Sequence, residues 1–254
     1  MVADPDGCAL CLDFDGTLSD IVEDPNGARP RPGVPLLLTN LARTFASVAV
    51  ISGRPVQFLG EVLGRPAGVR LIGLYGLEWI DADGAGMVAP EAEPWREVID
   101  RVVHDARQEA APGVYVEPKG LTVTVHWRHA PAERHWAEEF AEAQVASRGL
   151  KSYRSGLSVE LAPPLDVDKG TATLELVRGR RGAVAFGDDW GDLPVFAALS
   201  DLADKGMVVA RVAVVHPESP PEVAAAADVV VQGAGGAVSL LQEMVEAARP
   251  GLNR

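Results

Sequence analysis

Short runs that are apolar at almost every position recur along this chain: Cys8 to Leu12, Val48 to Ile51, Val69 to Leu74, Ala183 to Phe186 and Val208 to Val215. A strand with one wet face alternates apolar and polar residues, so runs apolar on both parities belong to strands covered on both faces. Helical patterns separate these runs: Pro35 to Phe45, Pro55 to Leu63, Gly170 to Val177 and Leu193 to Leu199, while Val229 to Val231 leads into Ala237 to Ala248. Alternation of strand and helix implies crossover connections and a parallel sheet. The first and last thirds are therefore expected to form two halves of one doubly wound α/β sheet.

The middle third follows another grammar. After a hairpin pattern around Asp81 to Gly86 come an amphipathic stretch, Trp95 to Ala110, and two strand-like runs, Val114 to Glu117 and Leu121 to Trp127, joined at Lys119-Gly120. A second helix, Ala132 to Ser147, leads into Leu150 to Tyr153 and Leu157 to Leu161. This αββαββ order is that of a small sheet backed by two helices. The expected organisation is a core of residues 1–90 and 163–254 with an inserted α+β cap of residues 91–162, linked near Pro90 to Pro94 and Pro163 to Val167. A chain of 254 residues that is 47% hydrophobic can fill two such cores, at roughly 100 to 200 residues per domain.

The charge balance narrows the partners. With 23 Lys+Arg against 36 Asp+Glu the formal net charge is −13, which argues against a nucleic-acid groove. No apolar stretch approaches the ~20 residues of a bilayer span, and Met1 to Gly7 lacks a basic n-region, so the cytoplasm is the expected compartment. Cys8 and Cys11 form a C-x-x-C, but inside a strand-like apolar run rather than at a helix start, so a structural role is expected.

Four motifs carry chemistry, each just past or beside a predicted strand end of the sheet, where ligands of open parallel sheets bind. In Asp13-Phe14-Asp15-Gly16-Thr17-Leu18 two carboxylates at i and i+2 would repel each other unless a cation were near. Gly16 permits a sharp turn, and Thr17 offers a hydroxyl and an N–H to an anion. In Ser52-Gly53-Arg54-Pro55 a hydroxyl precedes a helix start with free N–H groups, a ready phosphate site. Lys169, one of only four lysines, opens a helix in Asp168-Lys169-Gly170. Gly187-Asp188-Asp189-Trp190-Gly191-Asp192 gathers oxygen ligands of the kind Mg²⁺ prefers. Taken singly, the first three are also an acidic loop, a common turn and a solvated lysine. Together, in this order, the four specify phosphoryl transfer.

The set resembles the haloacid dehalogenase (HAD) superfamily of aspartate-nucleophile phosphatases, with its Rossmann-like core. Within it the chain is most similar to the trehalose-6-phosphate phosphatase family. That resemblance is carried by Asp13 to Leu18 followed by Ile21-Val22-Glu23-Asp24-Pro25, Ser52-Gly53-Arg54, Tyr75-Gly76-Leu77-Glu78, Val116-Glu117-Pro118-Lys119, His126-Trp127-Arg128, Glu160, Lys169-Gly170 and Gly187-Asp188-Asp189. The chain departs from the family pattern at Ala162, where arginine is frequent, at Tyr75, where histidine is common, and at Gly191-Asp192-Leu193.

The resemblance implies Asp13 as nucleophile and Asp15 as general acid and base. Ser52 and Lys169 would cradle the phosphoryl oxygens, with Gly16, Thr17, Gly53 and Arg54 beside them. Mg²⁺ would be held by Asp13, Asp15 through its carbonyl, and Asp188, supported by Asp189 and Asp192. Glu117, Lys119, His126, Arg128 and Glu160 would meet sugar hydroxyls. On a strand Glu117 and Lys119 share a face, as do His126 and Arg128; the ordinary reading is a solvated polar sheet face. The substrate implied is trehalose 6-phosphate, or else a trehalose-like pseudo-disaccharide phosphate or another sugar phosphate. A phosphomutase and a binding-only module are the competing classes. A small sugar phosphate is the expected partner, with no nucleic acid and no membrane, and the chain is expected to be a monomer or weak homo-oligomer. His126 and His129 at i, i+3 on a strand end face opposite ways, which argues against zinc.

Overall fold

The structure, a computed structural model, describes residues 3–248. Its elements in chain order are β1 (Cys8–Leu12), α1 (Val34–Thr44), β2 (Ser47–Ile51), α2 (Val56–Leu63), β3 (Val69–Gly73), β4 (Glu78–Ile80), β5 (Gly86–Val88), α3 (Arg96–Glu109), β6 (Tyr115–Pro118) and β7 (Val123–His126). There follow α4 (Arg134–Arg148), β8 (Lys151–Ser155), β9 (Ser158–Ala162), α5 (Lys169–Leu176), β10 (Gly182–Gly187), α6 (Leu193–Ala203), β11 (Val208–Val215), α7 (Pro221–Ala225), β12 (Val229–Gln232) and α8 (Gly233–Ala248). Two compact units result, one of residues 1–87 and 167–254, the other of residues 88–166.

The larger unit is built on a sheet in the order β12-β11-β10-β1-β2-β3-β4-β5. The six strands from β12 to β3 pair in parallel, and β4 runs antiparallel to β3. Strand order reverses between β1 and β10, which makes their carboxyl ends the switch point of the sheet. The two faces differ in bulk. One carries Leu10, Leu12, Val48, Val50, Val184 and Phe186 against α1, α2 and α8. The other carries Ala9, Cys11, Ala49, Ala183, Ala185 and Ala213, small residues that let α5 and α6 pack close. Truncating a fully buried residue such as Leu10 to alanine is worth about 2 to 5 kcal/mol.

Cys8 and Cys11 are buried thiols outside any disulfide, and they fall in the two different clusters, on opposite faces of β1. Burial pushes the Cys11 thiol up to about 12, which removes it from redox chemistry at neutral pH.

The smaller unit is a four-stranded antiparallel sheet, β6-β7-β9-β8. One face, with Val116, Val123, Val125, Val159 and Leu161, packs under α3 and α4 together with Trp127 and Phe140. Alternation puts Glu117, Thr124, His126 and Glu160 on the other face. The helix α4 ends at Gly149, whose positive φ of 71° supplies the left-handed cap that stops it. Among the described residues no helix is long and apolar enough to cross a membrane.

Candidate active site

The carboxyl ends of β1, β2, β10 and β11 bring together residues distant in sequence. Asp13 follows β1 and is tied to the neighbouring strand by its own N–H, which donates to the Phe186 carbonyl at 3.1 Å. Lys169 is the first residue of α5, and Asp168 caps that helix in a reciprocal bond pair with Thr171. The cap holds the helix start still, so the Lys169 side chain enters the site in one orientation. Its ammonium, 4% exposed, donates to Asp13 Oδ1 at 2.5 Å and Asp192 Oδ1 at 2.8 Å.

Asp192 is fully engaged. Its second oxygen, Oδ2, accepts the N–H groups of Asp188 at 2.9 Å and Asp189 at 3.3 Å. It therefore folds the acidic loop and anchors the lysine. A Cβ on Gly187 would lie 2.3 Å from the Asp192 carboxyl carbon, so this approach requires glycine. Asp189 is turned aside as well, accepting the Gly191 N–H at 2.8 Å.

Asp188 sits at the centre. Gly16, with φ of 74°, brings the Asp13–Thr17 loop so close that a Cβ there would lie 2.2 Å from Asp188 Oδ2. The Thr17 hydroxyl donates to Asp188 Oδ1 at 3.4 Å. One ligand oxygen each from Asp13, Asp188 and Asp192 lie within 4.8 Å of one another, all buried. Hard oxygen donors with one ammonium among them leave an excess of negative charge, the chemistry of a site that could hold a divalent cation.

Electrostatics agree. Burial raises the Asp13 carboxyl well above its ordinary range; Lys169 opposes this, and the charges of Asp192, Asp188 and Asp189 add to it. Burial and the neighbouring Asp189 and Asp192 likewise raise Asp188. Asp189 is pushed up to about 6, chiefly by burial. For Lys169 burial favours the neutral amine, but the carboxylates of Asp13 and Asp192 overcome it and raise its pKa.

Asp15 lies at the edge of the cluster, where the Arg54 guanidinium grips it with two bonds of 2.8 Å, Nε to Oδ2 and Nη2 to Oδ1. Arg54 also lies over the Phe58 ring at 4.8 Å. Ser52 is buried past β2, and its hydroxyl accepts the Arg54 N–H at 3.1 Å. One expectation for this motif is corrected. At the start of α2 one of the N–H groups expected to be open is already taken, because Glu78 Oε1 accepts the Val56 N–H at 2.7 Å. A carboxylate already satisfies the positive helix end.

Over residues 11–229 the chain matches the family model Trehalose-phosphatase. The chain belongs to that family. The trehalose-phosphate phosphatase of Mycolicibacterium paratuberculosis is 38% identical over 203 residues, covering 75% of this chain and 51% of that protein. That of Mycobacterium leprae is 36% identical over 165 residues, 64% of this chain and 38% of its own length. The chain thus spans about half, or less, of the length of these curated relatives. Among solved structures, a trehalose-6-phosphate phosphatase related protein superposes with a TM-score of 0.79 at 24% identity, covering 94% of this chain and 97% of that one. The C-terminal domain of the C. albicans trehalose-6-phosphate phosphatase gives 0.79 at 22% identity, with 96% and 94% covered. A haloacid dehalogenase-like hydrolase from Bacteroides thetaiotaomicron gives 0.61 at 16%, with 93% and 98% covered. These likenesses show the HAD-type α/β fold of core plus inserted cap.

In this family member's cap, Glu117, Thr124 and Glu160 stand in one row across β6, β7 and β9. Lys119 Nζ is 3.2 Å from Glu160 and 4.0 Å from Glu117, and His126 Nε2 is 2.8 Å from Glu117. The Tyr115 and His126 rings stack at 5.6 Å. Arg128 does not share a strand face with His126, because β7 ends at His126 and Arg128 lies in the turn beyond.

Two site residues escaped the sequence reading in role. Tyr75 was marked only as a departure from the family pattern. It sits in the left-handed region with φ of 62°, next to Leu74 at 48°, and its ring would be 2.7 Å from a Cβ on Gly53. Its N–H donates to the Ser52 carbonyl at 3.0 Å. Such strain concentrates at functional sites. His216, unmarked, lies just past β11 with Nε2 2.8 Å from Asp188 Oδ2. Its position past a buried strand of the sheet is the feature that could have found it.

Proposed function

We propose that this chain is a phosphoric monoester hydrolase that releases phosphate from trehalose 6-phosphate, with Mg²⁺ as cofactor. The observation that carries the reading is Lys169 locked between Asp13 and Asp192 at 2.5 and 2.8 Å with Asp188 beside them. The names of the relatives support the substrate. Residues Asp13 and Asp188, with the Asp15 carbonyl, would hold the cation, which when bound neutralises charge on the carboxylates and the phosphate.

In the mechanism, Lys169 opposes the effect of burial on the Asp13 carboxyl and aims it. Asp13 attacks phosphorus in line; the bond from phosphorus to the sugar oxygen breaks, and Asp15 gives that oxygen its proton. Asp15 then takes a proton from the water that attacks the aspartyl-phosphate, which frees phosphate and restores Asp13. Ser52, Thr17 and the Gly16 and Gly53 backbone supply fixed dipoles for the phosphoryl oxygens. Arg54 exchanges the Asp15 carboxylate for substrate phosphate, which releases Asp15 for proton transfer. Glu117, Lys119, His126, Arg128 and Glu160 supply donors and acceptors for sugar hydroxyls.

A second reading keeps the chemistry and changes the sugar to a trehalose-like pseudo-disaccharide phosphate. Tyr75 favours it, since a bulky ring stands where the family commonly has histidine. The cytoplasm as compartment and a monomer or weak homo-oligomer as state belong to the same proposal; two buried cysteines outside any disulfide suit a reducing compartment. The test is phosphate release from trehalose 6-phosphate beside other sugar phosphates, with and without EDTA, using Asp13→Asn as the blank. Cation-dependent release from trehalose 6-phosphate supports the first reading; release only from others moves the substrate, and none at all overturns both.

A further inference from the structure

We infer that His216 is a positioning residue that fixes the Asp188 carboxylate in the orientation in which it takes the cation. The inference rests on Asp13 and Asp188 being cation ligands, as proposed above. Residue 216 follows β11, the parallel neighbour of β10, so the sheet itself delivers it to the strand end that carries Asp188.

The geometry assigns the imidazole's protons. The Glu218 N–H donates to His216 Nδ1 at 3.2 Å, so Nδ1 is an acceptor and the ring proton sits on Nε2. That proton is donated to Asp188 Oδ2 at 2.8 Å. With Oδ2 so held, Oδ1 is the oxygen left to a cation, and Thr17 meets it only at a long 3.4 Å. Partners of this kind lock a ligating side chain against rotation and tune its basicity.

The turn that carries the ring is itself held. The His216 N–H donates to Ser219 Oγ at 3.2 Å, the Ser219 N–H returns to the His216 carbonyl at 3.0 Å, and Ser219 Oγ donates to the Val214 carbonyl at 3.3 Å. A closed turn thus fixes the His216 main chain while the Glu218 N–H holds the ring at Nδ1, and no residue of the reaction needs this arrangement for proton transfer. Its consequence lies in cation affinity.

The test is calorimetric titration of the full chain, free of substrate, with Mg²⁺ alone. His216→Ala is expected to raise the Mg²⁺ Kd by about tenfold. The half-saturating Mg²⁺ in turnover should rise in parallel, with kcat at saturating Mg²⁺ and KM for the sugar phosphate little changed. His216→Gln places a donor where Nε2 stands and should recover most of the affinity. His216→Asn, which can keep only the Glu218 contact, should not. Asp188→Asn separates the two levels: if it binds Mg²⁺ as well as the native chain, the cation-site reading fails and this inference with it. If Asp188→Asn loses binding while His216→Ala retains the native Kd, or if Asn rescues and Gln does not, the positioning role is overturned and the cation site stands.

Discussion

The core and the cap each bury a lysine between two carboxylates, and the two trios do different things. In the core Lys169 stands 2.5 and 2.8 Å from its partners, and Asp192 is further pinned by two backbone N–H groups. In the cap Lys119 stands 3.2 and 4.0 Å from Glu160 and Glu117, and His126 takes up Glu117 at 2.8 Å. The core has Asp188 and Asp189 in addition, which gathers more carboxylates than its lysine can balance and makes a site that could hold a cation. The cap trio presents donors and acceptors on one sheet face. A lysine between two carboxylates is thus held at shorter distances in the core than in the cap, and in the core one of the carboxylates, Asp192, is also fixed by two backbone N–H groups.

The largest expected effect falls on the nucleophile. Asp13→Asn should lower phosphate release by at least about 10³-fold while circular dichroism and the cooperative melt remain, because it removes a charge that the buried cluster strains to hold. A melt that disappeared would make Asp13 a folding residue instead.

Breaking the two lysines compares the trios directly. Lys169→Met leaves Asp13 and Asp192 buried without their cation and should cost about 3 to 5 kcal/mol of stability in urea unfolding, together with turnover. Lys119→Met should cost less, about 1 to 3 kcal/mol, and should show itself chiefly as a raised KM. Equal losses of stability would erase the distinction drawn between the two trios.

Cation binding sharpens the comparison further. Mg²⁺ at about a hundred times its Kd should stabilise the native chain by about 2.7 kcal/mol and so raise its Tm. Asp188→Asn should abolish the rise, whereas Glu117→Gln in the cap should leave it intact. A rise that depended on Glu117 would put the cation in the wrong unit.

The smallest effect concerns the wedge at Tyr75. Gly53→Ala places a Cβ 2.7 Å from that ring and should cost about 1 to 3 kcal/mol through overpacking. In the Gly53→Ala, Tyr75→Ala double variant the two losses should be less than additive, read from a double-mutant cycle of melts. Strict additivity would mean that the ring is not what the glycine accommodates.

What could be read from the chain was local. The strands apolar on both parities, the glycines that turn after them and the carboxylates just past them are encoded within a few residues, and β1 with Asp13 to Thr17 follows from them. The opposed Cys8 and Cys11 follow from strand alternation alone. The αββαββ order of the cap appears in the same way, from periodicity.

Other roles could not be read, because they belong to pairs that the chain separates. His216 reaches Asp188 across 28 residues, and Glu78 reaches the start of α2 across 22. Nothing near Ser52 says that a distant carboxylate occupies the helix end beside it. Likewise Asp188, Asp189 and Asp192 are equivalent as letters. They become the carboxylate beside Asp13, a turn former and an anchor only when the parallel sheet brings Lys169, His216 and the Gly16 loop against them. The chain's own residue pattern sets the layers, the switch point and the kinds of chemistry that meet there. Which oxygen of which carboxylate stays free is set by hydrogen bonds, which depend on distances of a few tenths of an ångström that strand pairing and helix packing establish after the chain has folded.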